Sequence, residues 1–446
     1  MSLNANFQAC WPPAWLLVTT LAAASGAQAQ NLVSLYESAR GFDSAYQSAR
    51  LQFDANVARA DQAKAGILPS VGLGAGASRT GLENTNPNIE RSFNTQNGTL
   101  SASQPLYRPA NRANYEQGFK LIEQSRAQLD AAGQDLIVRT SQAYFDVLAA
   151  QDTQAFVQAQ KTAVAEQLAF AKRNFEVGTS TITDTREAQA RFDLVTAQEI
   201  AADNDARVKK LTLDQLVGRS DTLPKALAAP YALPALQPED PNAWVQQAEG
   251  VHPSIRQALS ALEIADLEIK KAEAGHQPTL DAVASYNITR NPSGTAQQLA
   301  ASRSNSTTVG LQFNLPLFAG FATQNRIRET LFLKDKAASD LEGVRRSVAL
   351  GTRAAYFGVL SGRGQVRALE AAELSSQSAL DANKLGYQVG VRINIDVLNA
   401  QSQLFQTKRD LAQARYNVLL GGLRLRQANG TLTEQDLQPV NALLVP

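Results

Sequence analysis

Two patterns of hydrophobic and polar positions divide the chain into helical and extended segments. Toward the C-terminus apolar residues recur every seven positions, at Val397, Leu404, Leu411, Val418 and Leu425. A second apolar stripe on the same segment runs through Ile395, Leu398, Phe405, Ala412, Tyr416 and Leu419. Two adjoining stripes of this kind are typical of a coiled-coil helix with a partner on each side. Such a helix fits the wall of a cylinder, although an ordinary antiparallel bundle gives the same periodicity.

Other segments alternate apolar residues with polar residues or glycine, as β-strands do. The clearest alternation places apolar side chains at Val309, Leu311, Phe313, Leu315 and Leu317. Residues 280–288 and 71–77 alternate less regularly, and residues 99–107 form a weak further strand. Strands of about ten residues with one apolar face are typical of an outer-membrane β-barrel. The polar segments 79–98 and 290–306 are expected to be loops on the cell-surface side.

Proline separates the predicted helices from the rest of the chain. There is none between Pro109 and Pro224 or between Pro316 and Pro439, and both windows are rich in strong helix formers. A Val-Gly pair divides each window, because glycine closes helices in the left-handed conformation. The expected helices are 110–177, 181–217, 320–389 and 391–429, with shorter ones at 32–66 and 244–275. In each half, two short helices placed end to end match one long helix in length.

The chain is internally duplicated. Landmarks recur in the same order at nearly constant spacing: Ala143-Tyr144-Phe145 as Ala355-Tyr356-Phe357, Val177-Gly178 as Val389-Gly390, Asp184 as Asp396, and Pro105-Leu106 as Pro316-Leu317. Such spacing indicates two copies of one structural unit. We expect a first repeat at 30–218 and a second at 244–430. The proline-rich connector 219–243 and the C-terminal tail 431–446 are expected to form an equatorial region.

The N-terminus and the composition indicate an exported protein. Residues 1–29 contain an apolar stretch followed by Ala27-Gln28-Ala29, typical of a signal peptide, although no Lys or Arg precedes Arg40. The only cysteine, Cys10, lies in this segment, so no disulfide is expected in the mature chain. The net charge is only +1, so the chain lacks the strongly basic character that is typical of nucleic-acid-binding proteins. No apolar run of about 18 residues follows, which excludes a membrane-spanning helix and leaves a periplasmic, secreted or outer-membrane barrel protein.

The number of strands predicts an oligomer. Four strands cannot close a barrel, and an open sheet edge in lipid would leave backbone groups unpaired. Closure must therefore come from further copies of the chain. A trimer would supply twelve strands.

No arrangement of residues predicts catalysis, a cofactor or a metal site. The glycine-rich run 72–76 precedes a polar segment and alternates as a strand, unlike a phosphate-binding loop. His252 and His276 are isolated from each other and from cysteine, which disfavours a metal site. No nucleophile elbow or catalytic triad pattern occurs. The chain is therefore predicted not to be an enzyme.

Polar residues cluster at the two Val-Gly turns, which the duplication places at one end of the cylinder. They are Thr183, Asp184, Tyr387, Arg392, Asp396 and Asn399. Asp396 and Asn399 share a helix face, because residues three apart are neighbours on a helix. In a trimer they would form rings of carboxylate and amide around the axis. Asp184 and Asp396 are also placed to cap helices, and capping and gating can coexist.

Four longer motifs are more specific: Gly275-His-Gln-Pro-Thr-Leu-Asp281, Val309-Gly-Leu-Gln-Phe-Asn-Leu-Pro316, Tyr387-Gln-Val-Gly-x-Arg392 with Ile395-Asp-Val-Leu398, and Gly430-Thr-Leu-Thr-Glu-Gln-Asp-Leu437. On these motifs, essentially the whole mature chain resembles the TolC family of outer-membrane exit ducts of Gram-negative bacteria. The resemblance implies an α+β membrane protein, a trimer with a twelve-stranded barrel in the outer-membrane lipid. A long α-helical coiled-coil barrel would continue it across the periplasm.

The resemblance also implies a function and partners. The duct would give drugs, proteins of type I secretion, or both an exit from the cell. A periplasmic adaptor and an inner-membrane pump of the RND or ABC type would dock at the tip, where the helix turns place Val177, Gly178, Val389 and Gly390. A structural or adhesive coiled-coil envelope protein is the alternative. It explains the helices and the repeat but leaves the four amphipathic strands without a role.

In this family, polar bonds close the entrance and yield when partners engage. The matching positions are Thr183 and Asp184 with Tyr387 and Arg392, plus Gln167. Two positions depart from the family pattern. Lys384 stands where the family has a glutamate partner for that glutamine, and Asn399 replaces the second carboxylate of the constriction, beside Asp396.

Overall fold

The computed structural model describes residues 30–86, 88–228 and 235–445, so the predicted signal peptide 1–29 lies outside the described residues. Within these ranges the α-helices are α1 (Leu32–Phe42), α2 (Ser44–Lys64), α3 (Pro109–Glu176), α4 (Ile182–Val217), α5 (Pro241–Val251), α6 (Pro253–Glu273), α7 (Ala322–Gln388), α8 (Asn394–Ala428) and α9 (Leu437–Asn441). The strands are β1 (Ser70–Thr85), β2 (Asn88–Tyr107), β3 (Thr279–Asn291) and β4 (Ser302–Asn314). No helix of the described part is long and apolar enough to span a membrane.

Two very long helices, α3 with 68 residues and α7 with 67, form the frame of the chain. At about 1.5 Å per residue each spans about 100 Å. The predicted helix 110–177 is confirmed to within a residue at each end. The prediction for α7 begins two residues too early, because Gly320 and Phe321 adopt the left-handed backbone (φ 59° and 63°). The prediction for α8 begins three residues too early. The helix begins at Asn394 rather than at 391, because the preceding residues form the turn between α7 and α8.

The single helices predicted at 32–66 and 244–275 are wrong, because each is divided into two. The first divides at Asp43, whose carboxylate accepts the Tyr46 N–H at 2.7 Å and caps α2. The second divides at His252, whose Nδ1 accepts the Ser254 N–H at 3.1 Å and caps α6. Pro253 opens α6, and a proline disfavours helix in the residue before it. The sequence therefore carried a signal for the second break.

The His252 cap predicts a pH dependence of stability. Burial lowers the pKa of His252 below its ordinary value of 6.5, and the neutral ring accepts the capping hydrogen bond. Because the folded pKa lies below the unfolded one, this stabilisation is present above pH 6.5 and is lost as the pH falls through the folded value. We expect the thermal unfolding temperature to fall more in the native protein than in His252→Asn between about pH 7 and about pH 5. Equal losses would show that protonation of His252 does not contribute to the pH dependence of stability.

Short helices flank each long one. Helices α2 and α4 lie along α3, helix α8 lies along α7, and α6 lies between the two long helices. The first apolar stripe of α8 faces α7, with Val397 and Leu404 packed on Leu380. The second stripe faces the first repeat, where Leu398 lies among Val164 and other residues of α3 and α4. The expectation of a helix with a partner on each side is confirmed.

The largest core cluster lies at the middle of α3, where the two repeats, the connector and the C-terminal tail meet. The fully buried hydroxyl of Tyr144 donates to the Lys225 carbonyl at 2.7 Å. Its counterpart in the second repeat, Tyr356, donates to the Glu239 carbonyl. The repeated Ala-Tyr-Phe motif thus holds both ends of the connector against the long helices.

The sheet is antiparallel in the order β1-β2-β3-β4 and sorts its residues onto two faces. Directly opposite pairs on one face are apolar, as in Leu73 with Leu100 and Ala284 with Val309. Pairs on the other face are small and polar, as in Ser101 with Ser285. An apolar outer face and a polar inner face are the pattern of a membrane barrel wall.

Both predicted loops are wrong in extent. Residues 79–86 and 88–98 belong to the β1–β2 hairpin, in which the strand pairing continues to the Thr85–Asn88 pair. In the described part of the chain, the residues of β2 before Gln96 pair with β1 but not with β3, so the end of the hairpin projects beyond β3. There one face carries Leu82 and Phe93 among polar residues and the other face is polar, so the alternation that reveals a half-buried strand is weak. The second predicted loop, 290–306, is shorter in the structure and covers residues 292–301, between the end of β3 and the start of β4.

Two further strand expectations change with the structure. The segment 99–107, weak in the sequence, belongs to the longest strand, the 20-residue β2. In contrast, β4 ends at Asn314 and excludes Leu315 and Leu317. Pro316 lacks an N–H, so it cannot donate to a strand ladder.

Candidate functional site at the helical tip

The site lies where the two long hairpins turn. One turn joins α3 to α4 through Gly178 (φ 77°), and the other joins α7 to α8 through Gly390 (φ 78°). Glycine adopts this left-handed backbone without the strain that a Cβ adds. Val177 and Val389, the residues before the two glycines, are 73% and 66% exposed. The four predicted docking positions thus stand at the surface of the tip.

The first turn is held by a capping box. The Asp184 carboxylate accepts hydrogen bonds from the Ser180 hydroxyl at 2.7 Å and from the Thr181 N–H and hydroxyl at 3.0 and 2.9 Å. Burial raises the pKa of Asp184, but these hydrogen bonds together outweigh it and hold the pKa below its ordinary value. The predicted capping role of Asp184 is confirmed. Thr183, one residue earlier, is exposed.

The second turn uses different contacts. Arg392 and Asp396 face each other at 3.6 Å along the start of α8, and the arginine side chain is 59% exposed. The N-cap position of α8 belongs to Ile393, and no side chain caps it. The expectation that Asp396 caps this helix is therefore wrong. Within the described residues its carboxylate pairs with Arg392 of the same hairpin.

Tyr387 lies between the two hairpins. Its ring meets the ring of Phe170 on α3 edge-on, with centroids 5.8 Å apart, and it also packs on the apolar cluster around Val397. The Tyr387 hydroxyl is buried without a hydrogen-bond partner in the described residues. The predicted bonds from Tyr387 and Arg392 to Thr183 and Asp184 are not made within one chain. Bonds of this kind between chains stay a prediction.

The bridge between the hairpins comes from a residue that the sequence reasoning missed. Gln167 on α3 donates from Nε2 to the Asn394 Oδ1. The Asn394 Nδ2 in turn donates to the Asp184 backbone carbonyl at 3.2 Å. Asn394 is placed like a capping residue in the sequence, but the structure buries it completely. Its position three and four residues before the buried Val397 and Leu398, on the same helix face, was the available signal.

Two departures from the family pattern have local explanations. Lys384 is exposed, and Gln167 bonds to Asn394 on the other side of the turn. The Asn399 Oδ1 accepts a hydrogen bond at 2.8 Å from Arg191 of α4, a second residue that the sequence reasoning missed. The amide at the predicted constriction is thereby tied to the first repeat.

The described residues contain no group of His, Cys, Asp and Glu side chains placed to hold a metal ion. The glycine-rich run 72–76 lies within β1. The polar chemistry of the tip is that of hydrogen bonds between helices.

Comparison with known proteins agrees with this architecture. A model of the outer membrane efflux protein family matches residues 20–219 and 244–431. Outer membrane protein TolC of Vibrio cholerae is 33% identical over 418 residues, which cover 94% of each chain. The proteases secretion protein PrtF of Dickeya chrysanthemi is 29% identical over 446 residues, covering 96% of this chain and 94% of PrtF.

A solved structure shares the fold. The crystal structure of CusC superimposes with a TM-score of 0.79 at 18% identity, covering 90% of this chain and 92% of CusC. The family match spans both halves of the chain, and the relatives are alike over nearly their full length. This chain therefore belongs to the outer membrane efflux protein family and is an outer-membrane channel protein with a periplasmic helical tunnel.

Proposed function

We propose that three copies of this chain form the exit duct of a tripartite exporter. The observation that carries the proposal is an open four-stranded sheet joined to helices about 100 Å long. The sheet ends in two edge strands, β1 and β4. Lipid cannot satisfy their free backbone groups, whereas β1 of one copy can pair with β4 of the next. Three copies then close a twelve-stranded barrel above a helical tunnel.

The proposed cargo is drugs, secreted proteins, or both. PrtF is named for the secretion of proteases, which supports a role in type I secretion. The family description, outer membrane efflux protein, supports a role in efflux. The inner face of the sheet carries small polar residues such as Ser101, Ser285 and Thr308, so the barrel wall presents little that would retain a particular cargo.

The tip is the proposed docking site for a periplasmic adaptor, which would connect the duct to an inner-membrane pump of the RND or ABC type. Besides Val177 and Val389, the apolar side chains of Val391 and Ile393 are exposed at the turns. Exposed apolar patches mark interaction sites in proteins. The pump supplies the energy, and the duct itself acts as a passive channel.

The proposed gate lies in the same place. Thr183 and Arg392 are exposed and available to the neighbouring protomer, with Tyr387 behind them. Asp396 and Asn399 would line the constriction. Exposed ion pairs contribute about 0–1 kcal/mol each, so three symmetric sets hold a gate that partner binding can open.

Conductance across a planar lipid bilayer tests this function. The native trimer is expected to give a small, stable conductance, and the double variant Arg392→Ser, Tyr387→Phe is expected to raise it several-fold. The control is Arg346→Ser, because Arg346 forms a similar pair with Glu342 on the outside of α7, far from the tip. Equal conductance in the native channel, the double variant and the control would show that the gate does not depend on Arg392 and Tyr387. A folded trimer that forms no channel would overturn the duct and leave the adhesive or structural alternative.

A further inference from the structure

A buried amide ties the two hairpins of one chain together at the tip. Asn394 is fully buried at the first position of α8. It accepts a hydrogen bond from Gln167 on α3 and donates one to the Asp184 carbonyl on α4. One side chain thereby contacts both helices of the opposite hairpin.

The surroundings of this amide are apolar. The adjacent cluster contains Val164, Leu168, Ala171, Ala188 and Leu398, with Ile395 packed against it. Hydrogen bonds in a medium of low dielectric are stronger than bonds in water. If the hairpins separate by a small amount, Asn394 and Gln167 lose their partners before water can replace them, which is costly for buried polar groups.

The side chains of Arg392, Asp396 and Tyr387 do not provide such a tie within the described residues. The Arg392–Asp396 pair lies within the α7–α8 hairpin, with side chains 59% and 34% exposed, so hairpin separation leaves it intact. The Tyr387 hydroxyl is buried and has no partner in the described residues. Its removal costs no hydrogen bond in this conformation.

We infer that Asn394 is the positioning residue that locks the α7–α8 hairpin to the α3–α4 hairpin in the closed tip, through Gln167 and the Asp184 carbonyl. The inference rests on the proposed duct function. Opening the tip breaks both bonds in each protomer. The lock lies within each protomer, so it acts independently of bonds between neighbours.

The first test is the conductance of Asn394→Leu, which keeps a similar volume and removes both bonds. The open probability is expected to rise roughly tenfold or more, because each protomer loses two buried hydrogen bonds. Asn383→Leu is the matched control, since the Asn383 side chain donates to the Ala379 carbonyl of its own helix, at 3.0 Å. It is expected to conduct like the native protein. Gln167→Leu, at a half-buried position, should also open the tip and serves if Asn394→Leu does not fold.

A double-mutant cycle adds a readout that a general loss of packing would not produce. The combined variant Gln167→Leu, Asn394→Leu should open no more than Asn394→Leu alone, because the two residues share one bond. Additive effects would assign the single-variant changes to packing and would contradict the lock.

A second measurement does not depend on conduction. Val177→Cys and Val389→Cys place spin labels on the two exposed turns, and pulsed electron paramagnetic resonance measures the distance between them. We expect this distance to lengthen and broaden in Asn394→Leu but not in Asn383→Leu. If the native channel conducts but neither conductance nor distance changes in Asn394→Leu, the lock is overturned and the duct stands. If no channel forms but the distance changes, the lock stands and the duct fails.

Discussion

Replacing Tyr144 with alanine is expected to lower the free energy of unfolding by about 3–5 kcal/mol, the cost of removing a large buried aromatic side chain. Tyr144 is completely buried in the largest core cluster, edge-on to Phe145, which stacks on Tyr416 of α8. The change would leave a cavity where the two repeats meet. It would also leave the Lys225 carbonyl without its hydroxyl donor.

Denaturant unfolding of the detergent-solubilised protein measures this effect, with Tyr144→Phe as the matched variant. Phenylalanine keeps the ring and loses only the hydrogen bond, so its expected cost is about 1 kcal/mol. The difference between the two variants isolates the packing contribution of the ring. Equal losses in both would show that the hydrogen bond to the connector, rather than the ring, stabilises this region.

Replacing Asn399 with aspartate is expected to strengthen block of the channel by multivalent cations about tenfold. In the proposed trimer the change adds three carboxylates beside the Asp396 ring, and each attracts a cation at the axis even through water. Arg191 limits the gain, because its guanidinium already bonds to the Asn399 side chain at 2.8 Å and would neutralise part of the new charge.

Adding Arg191→Ser to Asn399→Asp removes that neutralisation, so block is expected to tighten further, to about a hundredfold over the native channel. Arg191→Ser alone is the control for the loss of the arginine. The measurement is the concentration of a trivalent cation that halves the conductance in planar bilayers. An unchanged concentration in the double variant would place residue 399 away from the narrowest point.

The helices were largely predictable because their signals are local. Proline-free windows rich in helix formers, closed by Gly178 and Gly390, defined α3 and α7 to within two residues. The break at Asp43 also had a local signal that the prediction overlooked, because Gly41 weakens a helix and aspartate is a preferred N-cap residue. The hairpin formed by residues 79–86 and 88–98 was missed because its sequence is mostly polar and its few apolar residues give only a weak alternation.

The same distinction between local signals and tertiary contacts applies to the candidate site. The sequence by itself determined the duplication, the two turns, the residues gathered at the tip and the family, because these depend on order, spacing and local conformation. Only the tertiary structure decided which polar groups meet. Gln167 and Asn394 lie 227 positions apart in the chain, and their contact depends on how the two repeats pack. No local pattern records a partner at that distance, so an asparagine placed like a cap proved to be the buried bridge between the hairpins.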